Sequence, residues 1–329
     1  MEKINIGIIG AGIMGTNHIR VISAMKDVNL TAVCDVDLEK LKEITQKINV
    51  RWLYKDHNEM LEKERLDGII VAVPSAFHKK VVLDCIEAGV NVLVEKPISD
   101  NLKDAQEMIE RAKKKNIIFT VGHIERFNPV VTKLKEFIDK GMLGKIYLIN
   151  TVREGPFPKR LYGTPGGVLI DLAVHDMDII EYLVGNINQV YSQLIVSGKQ
   201  EIYAKVLLQI DDSIKGSSEF SWVSPKKVRI IEIFGTKGML RGDYQNQEVK
   251  FYENSDESEG ALDKGNIGMG NVTDYPLQKQ EPLKIELEHF FDCIRNKKKP
   301  LVKPEEALKS LKIALSILES GKNNKVVKI

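Results

Sequence analysis

Three cysteines in 329 residues, Cys34, Cys85 and Cys293, are too few and too far apart for a disulfide framework or a metal knuckle. A dominant charge is missing as well: 48 basic residues against 46 acidic ones leave a net +2, so no global field selects a polyanionic partner such as a nucleic acid. The one basic run, Lys297-Lys298-Lys299, precedes Pro300 and reads as a solvated loop. No apolar run approaches the ~20 residues needed to cross a bilayer. The first residues, Met1 to Ile6, lead into a strand pattern rather than a leader peptide. Internal repeats and low-complexity tracts are absent too. What remains is an ordinary globular composition, 43% hydrophobic and 29% charged, with length for roughly two domains. The expectation is a cytoplasmic protein with no membrane or nucleic-acid partner.

The first third alternates between two periods. Ile4 to Ile9 is a short β-branched apolar run, as in a strand buried on both faces. It ends in Gly10-Ala11-Gly12-Ile13-Met14-Gly15, and a helical pattern follows through Met25. A second strand, Leu30 to Cys34, ends at Asp35, which lies 20 residues beyond Gly15. A G-x-G-x-x-G turn between strand and helix lets the backbone approach a pyrophosphate, and the helix N-terminus, at Ile13 and Met14, offers it free N–H groups. The carboxylate at Asp35 is placed to accept both ribose hydroxyls and to repel a 2′-phosphate, which argues for NAD over NADP. Further helices are expected over Leu38 to Ile48, Asp56 to Lys63, Phe77 to Ala88 and, capped by Ser99-Asp100, up to Lys115. Strands are expected over Gly68 to Val73, Asn91 to Val94 and Ile117 to Val121. Such alternation gives a doubly wound parallel sheet, with ligands beyond its C-terminal strand ends. Polar residues at that edge, Ser75, His78, Glu95 and Lys96, are cofactor-contact candidates, and Lys96 is expected where the nicotinamide lies.

The predicted boundary falls at 121/122, giving a dinucleotide-binding domain over 1–121 and a second α/β domain over 122–329. In the second, Pro129 to Lys140 reads as an amphipathic helix and Lys145 to Arg153 as a strand, followed by a proline-rich turn to Arg160. The stretch Gly166 to Asp178 is a glycine pair followed by an apolar helix carrying Asp171 and His175 four residues apart, hence on one face. A carboxylate beside an imidazole orients a general base. The same face carries Asp178, but no second histidine or cysteine pair accompanies these three, so no metal is expected. Beyond Leu183 the period changes to two: Ile202, Ala204, Val206, Leu208 and Ile210 share a face, and Ser217 to Val223 and Val228 to Phe234 behave alike. This predicts an open, mostly antiparallel sheet with one uncovered face, through which a homodimer or homotetramer is expected. Tyr244 to Gln280 shows no sustained period and reads as a long loop; Pro282 to Ile294 and Pro304 to Leu318 read as closing helices.

Three motifs together, Gly10 to Gly15, Glu95-Lys96-Pro97 and the Gly167-x-x-x-Asp171-x-x-x-His175 spacing, resemble the Gfo/Idh/MocA family of nicotinamide-dependent oxidoreductases. The resemblance extends over essentially the whole chain; Ser75 departs from it, since many relatives carry asparagine after the proline. It implies a Rossmann domain joined to an α/β domain with an open sheet, NAD as cofactor, and a hydride-transfer site containing Lys96, Asp171 and His175. His175 is the expected proton acceptor, with Asp171 orienting it and Lys96 stabilising alkoxide charge. Lys96 and His175 can exchange these roles, and the sequence does not rank them.

A narrower similarity, in Gly122 to Pro129, Arg153 to Arg160, Gly167 to Asp178 and Gln280 to Lys284, is to the branch that oxidises the 3-hydroxyl of UDP-N-acetylglucosamine to a 3-keto sugar nucleotide. Arg153, Lys159 and Arg160 would then engage the substrate pyrophosphate. Alternatives within the class are the uronate of the same sugar nucleotide and a free polyol such as myo-inositol. Outside it stands a non-catalytic NAD-binding regulatory protein.

Overall fold

The computed structural model describes residues 3–46, 48, 50–158, 166–255 and 268–329. The chain divides into two compact units, one formed by residues 1–124 with 281–309 and the other by 125–280 with 310–329. The division falls just after the predicted boundary. The helix that follows Glu281 returns to the first unit, which the sequence did not signal.

In the first unit, six parallel strands run in the order β3-β2-β1-β4-β5-β6: β1 (Ile4–Ile9), β2 (Val28–Cys34), β3 (Trp52–Tyr54), β4 (Gly68–Val71), β5 (Asn91–Val94) and β6 (Phe119–Val121). This is the doubly wound order in which ligands bind beyond the strand ends where the winding reverses, here between β1 and β4. Ile6, Ile8, Ile70 and Leu93 are fully buried, as strands covered on both faces require. The crossovers are α1 (Ile13–Ser23), α2 (Leu38–Thr45), α3 (His57–Lys63), α4 (His78–Glu87) and α5 (Leu102–Lys115). Asp37, Asp56 and Asn101 cap α2, α3 and α5 by accepting from Lys40, Asn58 and Asp104 N–H. Asn101 thus replaces the expected Ser99-Asp100 cap. The α8 helix (Pro282–Asn296), after α6 and α7 of the second unit in chain order, packs Leu287, Phe290 and Phe291 into this core.

In the second unit, nine strands form a mixed sheet in the order β14-β13-β12-β11-β7-β10-β9-β8-β15. Its central strands are β7 (Ile146–Pro156), β8 (Ile187–Ser197), β9 (Gln200–Ile210), β10 (Ile214–Ser221), β11 (Val223–Gly235) and β12 (Gly238–Asp243); among the described residues only β7 and β10 pair in parallel. The expected long loop after Tyr244 instead contributes β13 (Glu248–Asn254) and β14 (Met269–Pro276), which pair antiparallel at the sheet's edge. A two-residue β15 (Val327–Lys328) closes the other edge against β8. One face is covered by α6 (Pro129–Asp139), α7 (Val174–Leu183) and the end of α9 (Pro304–Asn323), whose Leu134, Ile180 and Ile317 meet Val206, Phe220 and Ile231 in one core. Among the described residues no helix is long and apolar enough to cross a membrane.

Candidate active site

The turn between β1 and α1 is built from glycines with different duties. Gly10 has φ +97°, and a Cβ there would stand 2.6 Å from the Ala72 carbonyl oxygen. At Gly15 a Cβ would lie 1.9 Å from the Gly10 carbonyl oxygen, so helix and turn touch backbone to backbone. Gly12 differs: among the described residues nothing stands within 4 Å of its would-be Cβ. It is the N-cap of α1, and among the described residues no side chain caps that helix. Open space at Gly12 before an uncapped helix N-terminus is where a dinucleotide's pyrophosphate fits. Asp35, at the end of β2, accepts the Ala11 N–H at 2.6 Å through Oδ2 and the Asp37 N–H at 2.9 Å through Oδ1. The carboxylate is therefore fixed against the glycine turn, and its remaining lone pairs suit ribose hydroxyls. Ile13 is exposed and Met14 and Ser75 are half-buried in the same unit.

Two of the proposed cofactor contacts are corrected by their surroundings. His78 is 1% exposed, with its ring nitrogens 3.0 Å from the carbonyl oxygens of Pro97 and Val73. Burial holds its pKa below the ordinary histidine value despite those carbonyls. It ties the loop after β4 to the loop after β5 and has no nitrogen left for a ligand. Glu95 is likewise buried, 2.7 Å from His18 Nε2 and 3.3 Å from the Lys96 backbone N–H. Burial alone would raise its carboxyl, but the His18 bond and charge, helped by Lys96 and His78, carry it below the usual range. His18 and Glu95 thus anchor the loop that presents Lys96, which is half-buried. His18 was not foreseen, although it sits with Gly15, Ile19 and Ile22 on the buried face of α1, where a histidine signals a buried partner.

In the second unit, Asp171 and His175 are 7% and 8% exposed. They do not share a regular α-helix as predicted. Leu169–Ala173 is a π-helical turn, and α7 starts only at Val174, so Asp171 belongs to the widened turn and His175 to the helix it feeds. Single π turns recur at functional sites because they shift side chains off the regular ladder. Behind them lies a buried ionic network. Asp178 takes a two-pronged bond from Arg126, Nε to Oδ2 at 2.7 Å and Nη2 to Oδ1 at 2.6 Å, which commits its carboxylate. Among the described residues no three metal-ligating side chains are grouped.

Arg153 requires a further correction. It is 1% exposed, with Nη1 2.7 Å from Glu125 and Nη2 2.8 Å from Asp176. Burial opposes its charge, but the two carboxylates more than compensate and hold its pKa above the ordinary value. A guanidinium committed this way braces β7 against α7 and is not available to a pyrophosphate. Lys159 and Arg160 lie outside the described residues.

A Rossmann unit with an acidic residue beside its glycine turn is an arrangement that binds a dinucleotide. Residues 4–123 match the family model described as the oxidoreductase family with NAD-binding Rossmann fold, and residues 131–241 match the C-terminal-domain model of the same family. The chain belongs to the Gfo/Idh/MocA family and is an NAD-dependent dehydrogenase acting on a CH–OH group. It is 28% identical to myo-inositol 2-dehydrogenase of Thermotoga maritima, over 98% of both chains. It superposes with a TM-score of 0.85 on UDP-N-acetylglucosamine 3-dehydrogenase from Acidithiobacillus ferrooxidans, at 21% identity over 98% of this chain and 99% of that one. It superposes at 0.83 on scyllo-inositol dehydrogenase from Lactobacillus casei with bound NAD(H) and scyllo-inositol, at 21% identity over 99% of each chain.

Proposed function

We propose that this enzyme oxidises a ring hydroxyl of a sugar to a ketone, and that its substrate is UDP-N-acetylglucosamine, oxidised at the 3-hydroxyl. The observation that carries the chemistry is a buried carboxylate, Asp171, in a π turn that feeds directly into the helix carrying a buried imidazole, His175. NAD held at the Gly10 to Gly15 turn and Asp35 would supply the acceptor for the hydride of the carbinol carbon. His175 takes the hydroxyl proton, as an imidazole is suited to do near neutral pH, and Asp171 orients the ring and stabilises its cationic form. Lys96, on the loop anchored by His18 and Glu95, hydrogen-bonds the reacting oxygen and offsets alkoxide charge. Removing either should cut turnover by about two orders of magnitude or more while NAD still binds. Near-normal turnover in both Lys96→Ala and His175→Ala would overturn these roles.

A second reading is favoured by one observation: a relative matched over nearly its whole length is named for myo-inositol. A panel of UDP-N-acetylglucosamine, its uronate and myo-inositol, each with NAD and monitored at the reduced-nicotinamide absorbance band, separates the two. Reduction with inositol and not with the UDP-sugars would replace the sugar-nucleotide assignment. Absence of reduction with every member, beside normal NAD binding, would favour the regulatory alternative.

We further propose that the sheet face opposite α6 and α7 is a homo-oligomer interface. Alternation puts Leu148 and Val152 of β7, Leu207 of β9 and Ile230 and Phe234 of β11 on that face, and Leu207 is 55% exposed. Light scattering should give a dimer or tetramer that Leu207→Glu weakens; a stable wild-type monomer at micromolar concentration rejects the interface.

A further inference from the structure

The second unit contains a place where two cations have no carboxylate of their own among the described residues. The β11 and β7 strands pair Val223 with Pro156 and then Val228 with Glu154, so Ser224 to Lys227 bulge out opposite the single residue Gly155. Bulges of this kind re-aim side chains and recur beside active sites. Lys227 leaves the bulge towards Gly155, its Cγ 3.7 Å from where a Cβ of that glycine would stand, so the missing side chain gives it room. Lys227 is exposed and has no carboxylate partner among the described residues. Two residues on, Arg229 pairs directly across the sheet with Arg153, which places their side chains on the same face. That is the face α7 covers, since Arg153 bonds Asp176 there.

Arg229 is poorly compensated. Its only ion pair among the described residues is to Glu125 at 3.3 Å, and the same oxygen is held more closely by Arg153 at 2.7 Å. Its side chain is 23% exposed, yet its Nε is buried with no hydrogen-bond partner among the described residues. The electrostatics agree with this geometry. Arg229 is held below its ordinary pKa by burial and then by the Arg153 charge, and Lys227 by the Arg229 charge and then by burial. Asp171 lies near enough to act on Arg229 as well, so the cationic pair adjoins the π turn that carries it.

We propose that Lys227 and Arg229 form the anion subsite of this enzyme, taking the phosphate-bearing part of the substrate and selecting acidic sugars over neutral polyols. The subsite rests on the reading of the chain as a sugar-nucleotide dehydrogenase and deepens it. It also replaces Arg153: the arginine adjacent across the sheet is the one with charge to spare.

The test uses the full-length protein and UDP as the probe, with binding followed by calorimetry. Wild type should bind UDP, and Lys227→Gln should weaken it about tenfold, the loss expected for one charge-assisted contact. Because Lys227 is exposed, its variant should keep the wild-type unfolding temperature, which separates ligand loss from misfolding. Arg229→Lys, which keeps a charge beside Glu125, should weaken UDP by a similar factor through loss of the planar fork. Equal UDP binding by wild type and both variants, or none by wild type, overturns the subsite. Weakened UDP binding in the variants, with wild type reducing NAD only on inositol, would keep Lys227 and Arg229 as an anion-binding pair but overturn both their selection of acidic sugars and the substrate assignment. Glucuronate as a second probe separates a carboxylate from a diphosphate: binding as tight as UDP would overturn the phosphate assignment.

Discussion

Alanine at Gly12 and alanine at Gly15 should separate the two duties of the glycine turn. At Gly15 the new methyl would sit 1.9 Å from the Gly10 carbonyl oxygen and 2.8 Å from its carbon, both backbone atoms that cannot swing aside. Overpacking of that kind costs about 3 kcal/mol. For a unit of this size, each 1 kcal/mol lowers the midpoint of unfolding by roughly 2–4 °C, so Gly15→Ala should lose roughly 6–12 °C. At Gly12 none of the described residues lies within 4 Å of a new methyl, and its φ of −68° suits any residue. Its alanine variant should stay within about 1 kcal/mol of wild type, since reduced unfolded-state freedom offsets the poorer N-cap. That methyl nonetheless occupies the approach of the pyrophosphate, so NAD affinity should fall at least about tenfold, or ~1.4 kcal/mol. Thermal unfolding without ligand and calorimetric titration with NAD measure both quantities. Wild-type NAD affinity in Gly12→Ala, or a stability loss equal to that of Gly15→Ala, would refute this division of labour.

Two predictions concern buried charge. Glu286 on α8 is 2% exposed, neither carboxyl oxygen has a hydrogen-bond partner among the described residues, and burial, then the Glu95 charge, pushes its pKa well above 4.5. A raised carboxyl contributes stability that is fully present below the unfolded value and lost as pH rises through the folded one, at up to ~1.4 kcal/mol per unit of pH. Glu286→Gln should therefore raise the unfolding temperature at pH 8 far more than at pH 5, and an equal change at both would contradict the raised value. Arg126→Ala strands Asp178 without its two-pronged partner and should cost about 3–5 kcal/mol. Thermal denaturation should show a drop of roughly 10 °C or more, largely recovered when Asp178→Leu is added; no recovery would mean that packing, not stranded charge, is responsible.

The sequence made the first unit legible because its signals are local. The spacing from Gly10 to Asp35, and buried strands such as Asn91–Val94, depend on neighbours in the chain, and Asn91–Val94 came out residue for residue. Signals failed where the partner is distant. Arg153 is 28 residues from Glu125 and 23 from Asp176, so no spacing shows that its charge is committed. His78 looked like a ligand contact because both of its partners are backbone carbonyls, which sequence does not display. The β13–β14 hairpin read as a loop because it edges the sheet: β14 buries none of its residues, and β13 buries only Val249 and Phe251, too few to establish a period. The π turn was hidden for the opposite reason. Residues 172–180 are buried on all sides, so no polar face marks where the helix widens.

The most direct measurement follows deuterium from the sugar ring. With UDP-N-acetylglucosamine deuterated at C3 and unlabelled NAD, mass spectrometry should find one deuterium in the reduced nicotinamide, with transfer lost in Lys96→Ala and His175→Ala. Unlabelled reduced cofactor, or none with any sugar nucleotide or polyol, would contradict hydride transfer from the 3-carbon.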